Sequence, residues 1–187
     1  PGGPPTMLAK VGGIGGPSKT PAYFGNGAQG FKSAHGRMPP IATGANAANR
    51  ELLYIGVSGD GDSLSIGLGH LCHAIRRNIR TVYIIENNGV YGLTKGQFSA
   101  TADQGSKSKR GVVNADAPVD LAALALQLGA NFVARRFSGD KAHLIHLDAD
   151  ALAHPGSAVI ALISPCTPFM NSFGSSRTFP SLCRAPP

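Results

Sequence analysis

One stretch of the chain decides the fold: residues 52–97, LLYIGVSGDGDSLSIGLGHLCHAIRRNIRTVYIIENNGVYGLTKGQ. It opens with a mostly apolar run, LLYIGVS (52–58), passes through GDGD (59–62), and reaches a second apolar run, TVYIIE (81–86), which NNG follows. Between the two runs, apolar residues recur at the spacing of one helical face: Leu64, Leu68, Leu71, Cys72 and Ile75. The order of strand, helix and strand over roughly 30 residues predicts two parallel strands joined by a crossover helix.

The rest of the chain continues this alternation. The further predicted elements are strands at 131–137 and 157–164 and helices at 38–49, 120–128 and 141–153, with a helix also over 63–77. The strand segments are almost continuously apolar, which is typical of strands covered on both faces. Asp140 is the predicted N-cap of the helix at 141–153. We therefore predict an α/β fold with three layers, a parallel sheet with helices on both faces.

The chain of 187 residues is long enough for one domain with a sizeable core. We predict this domain over residues 11–171, between an irregular segment at 1–10 and an irregular tail at 172–187. Glycine and proline cluster at both ends, as in PGGPP (1–5) and RAPP (184–187). No helical or strand periodicity is visible in residues 1–30, so no regular element is predicted there.

Composition narrows the classes of function. The net charge of +7 suits an anionic cofactor or an acidic partner. The dense basic run KSKR (107–110) lacks interleaved aromatic residues, so nucleic-acid binding is not predicted. The longest apolar run, AVIALI (158–163), is too short to span a membrane. The 3 cysteines form no paired framework, which favours a reducing, cytoplasmic setting.

The GDGD motif indicates a cation and phosphate site. Asp60 directly follows a predicted strand, and ligands of parallel sheets bind beyond the carboxyl ends of strands. The following helix start attracts phosphate, which a carboxylate would repel unless a cation lay between them. Asp60 is therefore a predicted Mg²⁺ ligand that bridges to a diphosphate, and Asn88 after the next strand supplies a second oxygen. Two alternatives are that both motifs are ordinary turns or that the site binds a nicotinamide dinucleotide, although GVSGDG does not match G-x-G-x-x-G.

These residues also carry a family resemblance. GDGDSLSIGLGHLCHAIRRNI (59–79) followed by YIIENNGVYGLTKGQFSAT (83–101) resembles the β subunit of 2-oxoacid:ferredoxin oxidoreductases, which carries a thiamine diphosphate-binding fold. The likeness extends over 11–171 and includes GIGGPSK, HGRMPPIATGANAAN and ISPCTPFMN. It implies oxidative decarboxylation of a 2-oxoacid, 2-oxoglutarate being favoured, to an acyl-CoA, with electrons passed to ferredoxin. It also implies an α subunit as partner, which supplies a glutamate to the cofactor, so the chain alone is expected to be inactive.

The resemblance assigns roles to individual positions. For Mg²⁺, the implied ligands are Asp60, Asn88 and the backbone carbonyl of Val90. For thiamine diphosphate, the implied contacts are Ile14, Gly15, Gly16, Pro17, His35, Gly61, Asp62, Gly92 and Leu93. For the carboxylates of the substrate, the implied catalytic contacts are Lys19 and Lys95.

The sequence departs from the family at its iron–sulfur cluster. The family holds a [4Fe–4S] cluster with four cysteines, but here Cys166 in SPC stands at a matching position while Gly16 replaces the cysteine of GIGC. With 3 cysteines, one copy of this sequence cannot form an ordinary four-cysteine cluster, so Cys166 is at most a residual ligand. Two alternative functions therefore remain: a degenerate or structural subunit that keeps the fold, and a thiamine-dependent decarboxylase that needs no cluster.

Overall fold

The structure, a computed structural model, describes residues 8–12 and 28–166. Their helices and strands, in chain order, are β1 Leu8–Gly12, β2 Ala28–Lys32, α1 Met38–Ala48, β3 Leu53–Gly59, a π-helical turn Gly61–Ile66, α2 Leu68–Arg76, β4 Thr81–Asn87, β5 Val90–Tyr91, β6 Gln97–Phe98, α3 Leu121–Gln127, β7 Phe132–Phe137, α4 Lys141–Ala153 and β8 Ser157–Ile163. The order of the long elements is the predicted alternation of strands and helices.

The main sheet of the described residues has six strands in the order β2-β1-β3-β4-β8-β7, and all neighbouring pairs are parallel. In its centre Ile55 pairs with Val82, and Ile84 pairs with Ile160. β5 and β6 form a separate antiparallel ribbon that follows the end of β4. Because the six strands are parallel, all of their carboxyl ends lie along one edge of the sheet.

Helices cover both faces of this sheet. On one face, Tyr83 and Val159 pack in a cluster with residues of α1, α2 and α3. On the other face, Val82 and Ile160 pack against α4 through Ala151. Alternate residues of β4 and β8 thus point into two different apolar layers, as the period of two in a strand requires. The prediction of a three-layer parallel sheet with helices on both faces is confirmed.

Helix α1 packs closely on β3. A Cβ built on Gly56 would overlap the thioether of Met38, which is itself buried, so the contact depends on the absence of a side chain at position 56. At the other end of the helix, Tyr54 Oη lies 2.7 Å from the carbonyl oxygens of both Ala45 and Asn49. Burial raises the pKa of the Tyr54 phenol, so the hydroxyl stays protonated, and its single hydrogen is shared between the two carbonyl oxygens.

The four predicted central strands are confirmed as β3, β4, β7 and β8, and the predicted helices appear as α1, α3 and α4. The helix predicted over 63–77 is confirmed as α2 from Leu68 onward, but its first residues, up to Ile66, belong to a π-helical turn that precedes α2. The backbone N–H of Gly67 donates to the carbonyl of Asp62 at 2.9 Å, which widens the turn. Such π-turns occur frequently at functional sites.

The prediction that residues 1–30 contain no regular element is wrong for β1 and for the start of β2. The irregular segment predicted at 1–10 likewise fails for residues 8–10, which belong to β1. β1 lies between β2 and β3, so its backbone is paired on both sides. These bonds come from chain segments distant in sequence, which local periodicity does not report. Residues 1–7, 13–27 and 167–187 lie outside the described part of the chain, and so does the predicted tail at 172–187.

Side-chain caps begin two of the helices. Asp120 Oδ1 accepts hydrogen bonds from the backbone N–H groups of Ala122 at 2.9 Å and Ala123 at 3.1 Å, and it also pairs with Arg135. The bond from Ala123, followed by the interaction with Arg135, lowers the pKa of Asp120. Asp140 caps α4, as predicted, by accepting from His143 N at 3.2 Å.

We expect Asp120→Ala to lower the free energy of unfolding by about 1 kcal/mol at pH 7, because it removes an N-cap. The pKa of Asp120 is lowered on folding from its ordinary value of 3.8, so the stabilisation is present above that value and is lost as pH falls through the folded pKa. Urea unfolding of both proteins between pH 7 and pH ~3 should show the difference shrinking on acidification. Asp120→Asn, which keeps the cap acceptor, should lose less stability; a difference that grows in acid would contradict this account.

Candidate functional site

The two sequence motifs meet at the carboxyl edge of the sheet. β3 ends at Gly59 and β4 ends at Asn87, and the register pairs Gly59 with Glu86. The residues of GDGD therefore begin at nearly the same level as the loop that contains Asn88. The β5–β6 ribbon continues from that loop, and the segment after β8 leads to Cys166.

Asp60 is the buried acid at the centre of this edge, with 1% of its surface exposed. Its Oδ2 accepts hydrogen bonds from Gly89 N at 2.8 Å, from Ser99 Oγ at 2.6 Å and from Thr101 Oγ1. Among residues 28–166, all hydrogen bonds to this carboxylate end on Oδ2, and no lysine, arginine or histidine lies within ion-pair distance. A buried carboxylate of this kind calls for a positive partner.

The loop after β4 lies against Asp60. Gly89, which donates to Asp60, stands between Asn88 and Val90, so the loop segment that contains these two predicted positions lies next to Asp60. Asn88 Oδ1 accepts from Val90 N at 3.1 Å, which orders the loop locally. The Val90 side chain is buried in a small cluster with Ala102. The loop is thus anchored on one side by the acid and on the other by apolar packing.

Asp62, the second acid of GDGD, connects the site to the segment before α1. Its Oδ1 accepts from Gly36 N at 2.6 Å and lies 2.9 Å from His35 Nδ1, while Oδ2 accepts from Ser58 Oγ. Asp62 is buried, whereas His35 is 47% exposed. The carboxylate of Asp62 therefore orients the imidazole ring through Nδ1. The other ring nitrogen, Nε2, is left for a ligand or for water.

Gly61 lies directly under an aromatic ring. Tyr91 Oη donates to the carbonyl of Gly61 at 2.8 Å, and a Cβ built on Gly61 would overlap the Tyr91 ring. The ribbon that follows β4 is thereby fixed to the turn that follows β3. Glycine at position 61 is required for this close approach.

The tip of the ribbon carries the remaining predicted contacts. Leu93 is 81% exposed, and Lys95 has a φ of +78° in the turn between the two short strands. Lys95 lines a cavity of about 240 Å³ together with Lys109 and Arg110. A Cβ built on Gly92 would lie 3.8 Å from Cys166 Sγ, so the ribbon and the segment after β8 are in contact.

Negative charge accumulates at this edge. Burial, and then the charge of Asp60, raises the pKa of Glu86. Within the described ranges, no group of three or more histidine, cysteine, aspartate or glutamate side chains could hold a metal ion by itself. The described side chains therefore do not surround a metal ion with a complete set of protein ligands. The geometry fits a Mg²⁺ site, which commonly uses one or two carboxylates, while phosphate and water oxygens complete the coordination.

Several predicted residues lie outside the described part of the chain: Ile14, Gly15, Gly16, Pro17 and Lys19. Sequence reasoning also missed four residues that shape the site, namely Ser58, Tyr91, Ser99 and Thr101. The signal available for the last two was the pair of hydroxyl residues in FSAT, next to the KGQ motif. Nothing local indicated that both would donate to an acid about 40 positions earlier.

The fold and the site define a cofactor-binding α/β domain with its site at the carboxyl ends of parallel strands. The family model described as "Thiamine pyrophosphate enzyme, C-terminal TPP binding domain" matches residues 12–162, and the chain belongs to this family. It is 43% identical over 157 residues to a 2-oxoacid:ferredoxin oxidoreductase subunit beta of Sulfolobus sp, covering 83% of this chain and 52% of the relative. It is 41% identical over 160 residues to the 2-oxoglutarate oxidoreductase subunit KorB of Mycobacterium tuberculosis, covering 85% and 42%.

One solved structure agrees with these relatives. The 2-oxoglutarate:ferredoxin oxidoreductase from Magnetococcus marinus, with 2-oxoglutarate, coenzyme A and succinyl-CoA bound, superposes with a TM-score of 0.84 at 33% identity and covers 94% of this chain and 59% of that one. The resemblance to the β subunits is therefore confirmed. The chain spans about half the length of the known relatives it matches. In its described part, no helix has the length and apolarity to cross a bilayer.

The contact between Gly61 and Tyr91 leads to a prediction about stability. We expect Gly61→Ala to lower the free energy of unfolding by about 1–3 kcal/mol, because the new methyl group overlaps the ring. Gly59→Ala is the matched control, since a Cβ there would meet open space, and it should change stability by less than about 0.5 kcal/mol. Denaturant unfolding gives both values. In a Tyr91→Ala background the Gly61→Ala loss should largely disappear; an undiminished loss would show that the ring is not the cause.

Proposed function

We propose that this chain is the thiamine diphosphate- and Mg²⁺-binding β subunit of a 2-oxoacid:ferredoxin oxidoreductase. With an α subunit it would convert a 2-oxoacid and coenzyme A to an acyl-CoA and CO₂ and pass electrons to ferredoxin. The observation that carries the proposal is the buried carboxylate of Asp60. It has no cationic partner among the described residues and is held against the loop of the following strand.

The donor set around Asp60 fits Mg²⁺. Three hydrogen bonds engage Oδ2, so Oδ1 is the atom that we assign to the cation. The Asn88 side-chain oxygen has a second lone pair beyond the one that accepts from Val90 N. The backbone carbonyl of Val90 is the third proposed ligand. Carboxylate, amide and carbonyl oxygens are the hard ligands that Mg²⁺ prefers.

The surrounding residues would position the diphosphate cofactor. Gly61 and Asp62 begin the π-helical turn that directly follows Asp60, so we assign their backbone to the diphosphate. Asp62 holds His35 at the mouth of the site, while Gly92 and Leu93 lie on the ribbon beside it. When bound, thiamine diphosphate supplies the electron sink for decarboxylation. The assignments of Ile14, Gly15, Gly16 and Pro17 to the same cofactor rest on the family resemblance.

A dicarboxylate is the proposed substrate, with 2-oxoglutarate favoured. Lys95 lies near Lys109 and Arg110, so this end of the ribbon attracts anionic groups. Lys19 is assigned to the same role from the resemblance. The names of the Mycobacterium tuberculosis and Magnetococcus marinus relatives support this choice, because both contain 2-oxoglutarate. Ferredoxin as acceptor, the α subunit as source of the catalytic glutamate and a cytoplasmic location complete the proposal.

The proposal predicts the behaviour of Asp60 variants. Asp60→Ala should abolish Mg²⁺-dependent binding of thiamine diphosphate, because the cation loses its only carboxylate ligand. Asp60→Asn should do the same while it preserves the shape of the buried side chain, so that loss of binding is separated from loss of folding. Isothermal titration with and without Mg²⁺ measures the effect, and thermal unfolding confirms that each variant is folded.

Asp150→Ala provides the matched control, since Asp150 is exposed on α4. It should bind the cofactor with unchanged affinity. Folded Asp60 variants that retain full Mg²⁺-dependent affinity would refute the assignment of the site. If the binding is confirmed but a complex with an α subunit releases no CO₂ from 2-oxoglutarate, the degenerate-subunit alternative is favoured.

Iron content tests whether this chain by itself holds the cluster that would pass electrons to ferredoxin. Because one copy has 3 cysteines, and Cys72 lies on a helix of the fold, we expect less than one cubane per chain after anaerobic reconstitution with iron and sulfide. Iron and sulfide analysis with the visible absorption spectrum measures this. Stoichiometric iron with a cluster spectrum would contradict the expectation and would require ligands other than four cysteines of one copy.

A further inference from the structure

A second polar cavity lies at the opposite edge of the sheet. It measures about 480 Å³ and is formed by the end of α1, the connection from α2 to β4 and the turn before β8. The strands begin at this edge and end at the carboxyl edge. The cavity is therefore separated from the carboxyl edge by the length of a seven-residue strand, roughly 20 Å. The residues that give it its chemistry are Asn46, Arg50, Arg77, Asn78 and Arg80.

The residues that line the cavity carry positive charge that no acidic residue of the lining neutralises. Three arginines line it, and no aspartate or glutamate does. None of the three forms an ion pair with any residue of the described ranges. Guanidinium groups gathered around one cavity repel each other, and an oxyanion between them removes that repulsion. Arginine is also the side chain best suited to bind carboxylate or phosphate through two parallel hydrogen bonds.

Two residues that line the cavity each have a buried donor atom without a hydrogen-bond partner in the described part of the chain. Asn46 is only 9% exposed, and its Nδ2 is unpaired. Arg80 Nε is also buried and unpaired. Buried polar groups are normally hydrogen-bonded, so both side chains would gain a partner by a small rearrangement that turns these donors toward an acceptor in the cavity.

Asn78 is fixed in place beside these donors. It has a φ of +47°, and its Oδ1 accepts from Ser157 N at 2.9 Å. A Cβ built on Gly156 would overlap the Asn78 amide, so the turn before β8 packs directly on it. Because Oδ1 is directed at Ser157 N, the NH₂ group of the Asn78 amide is available to donate to a ligand. The cavity therefore presents donors and positive charge to any ligand it holds.

We propose that this cavity is a binding site for a small polyanion with at least two oxyanion groups, phosphates or carboxylates. Three guanidinium groups and two side-chain amides offer more donors than a single oxyanion can accept. The cavity also has room for a larger molecule. The site lies at the opposite edge from Asp60, so its ligand does not contact the proposed cofactor. The inference does not rest on the proposed function, since it uses none of the residues assigned to that function.

Titration of the full chain with inorganic pyrophosphate and with citrate, in EDTA and at low ionic strength, tests the proposal. EDTA removes the cation that the Asp60 site is proposed to need. We expect saturable binding of one anion per chain. If pyrophosphate binds more tightly than citrate, the ligand is a phosphate compound; if citrate binds more tightly, it is a polycarboxylate. In ¹⁵N–¹H spectra of arginine side chains, the Arg80 Nε–H signal should shift on titration.

Arg50→Ala and Arg77→Ala should each weaken this binding by about tenfold or more, because each removes a charged two-point contact. Both side chains are exposed, so the variants should remain folded. Arg76→Ala is the matched control: it removes the same charge from an exposed neighbour that does not line the cavity, and affinity should stay within about twofold.

The absence of saturable binding, or an equal loss in Arg76→Ala, would overturn the proposal. Binding of an α subunit that is lost in Arg50→Ala and Arg77→Ala, with no small-anion binding, would overturn it in favour of a protein interface. Asp60→Asn separates the two proposals, because it should abolish Mg²⁺-dependent cofactor binding and leave pyrophosphate binding in EDTA intact.

Discussion

The structure of the site depends on one buried carboxylate. Asp60 receives hydrogen bonds from the loop after β4 and from two hydroxyl groups beyond β6, so a single oxygen atom holds three chain segments together. Removing a carboxylate from water is unfavourable unless donors or a cation compensate for it. The fold supplies the donors. The cation that we propose would supply the remaining charge, and this couples the binding of the cofactor to the order of the loops.

Glycine residues allow neighbouring segments of the fold to pack closely around the site. Gly56 admits Met38 of α1, Gly61 admits the ring of Tyr91, and Gly36 packs on Gly67 with a φ of +70°. The last contact places His35 within reach of Asp62. Each contact occurs where a helix, a turn or the ribbon must lie directly on the backbone of another segment. The high glycine content therefore has a packing function in this domain as well as a role in turns.

The residues at the two edges of the sheet differ in charge. The carboxyl edge holds Asp60, Asp62 and Glu86, and the amino edge holds the arginine cavity. A parallel sheet produces this separation readily, because the loops at one edge all follow strands and the loops at the other all precede them. Within one α/β domain, a cation-dependent site and an anion site can thus exist without neutralising each other. The proposed polyanion site would use an edge that the cofactor does not occupy.

The central strands and most of the helices were predictable because their signals are local. An apolar run of β-branched residues, a helical spacing of leucines and an acid after a strand can each be recognised within about ten residues. The pairing of Asp60 with the loop of Asn88 was also predictable, since neighbouring parallel strands end at the same edge. The strand β1 was not, because its pairing to β2 and β3 is set by hydrogen bonds from distant segments.

By itself, the sequence determined the α/β class and the placement of an acid and an amide at consecutive strand ends. Only the tertiary structure decided that Ser99 and Thr101 would donate to Asp60, that Asp62 would orient His35, and that Arg50, Arg77 and Arg80 would share one cavity. The reason is physical. Local propensities choose helices and strands, whereas the burial of charge and the packing of layers bring together residues that are far apart in the chain.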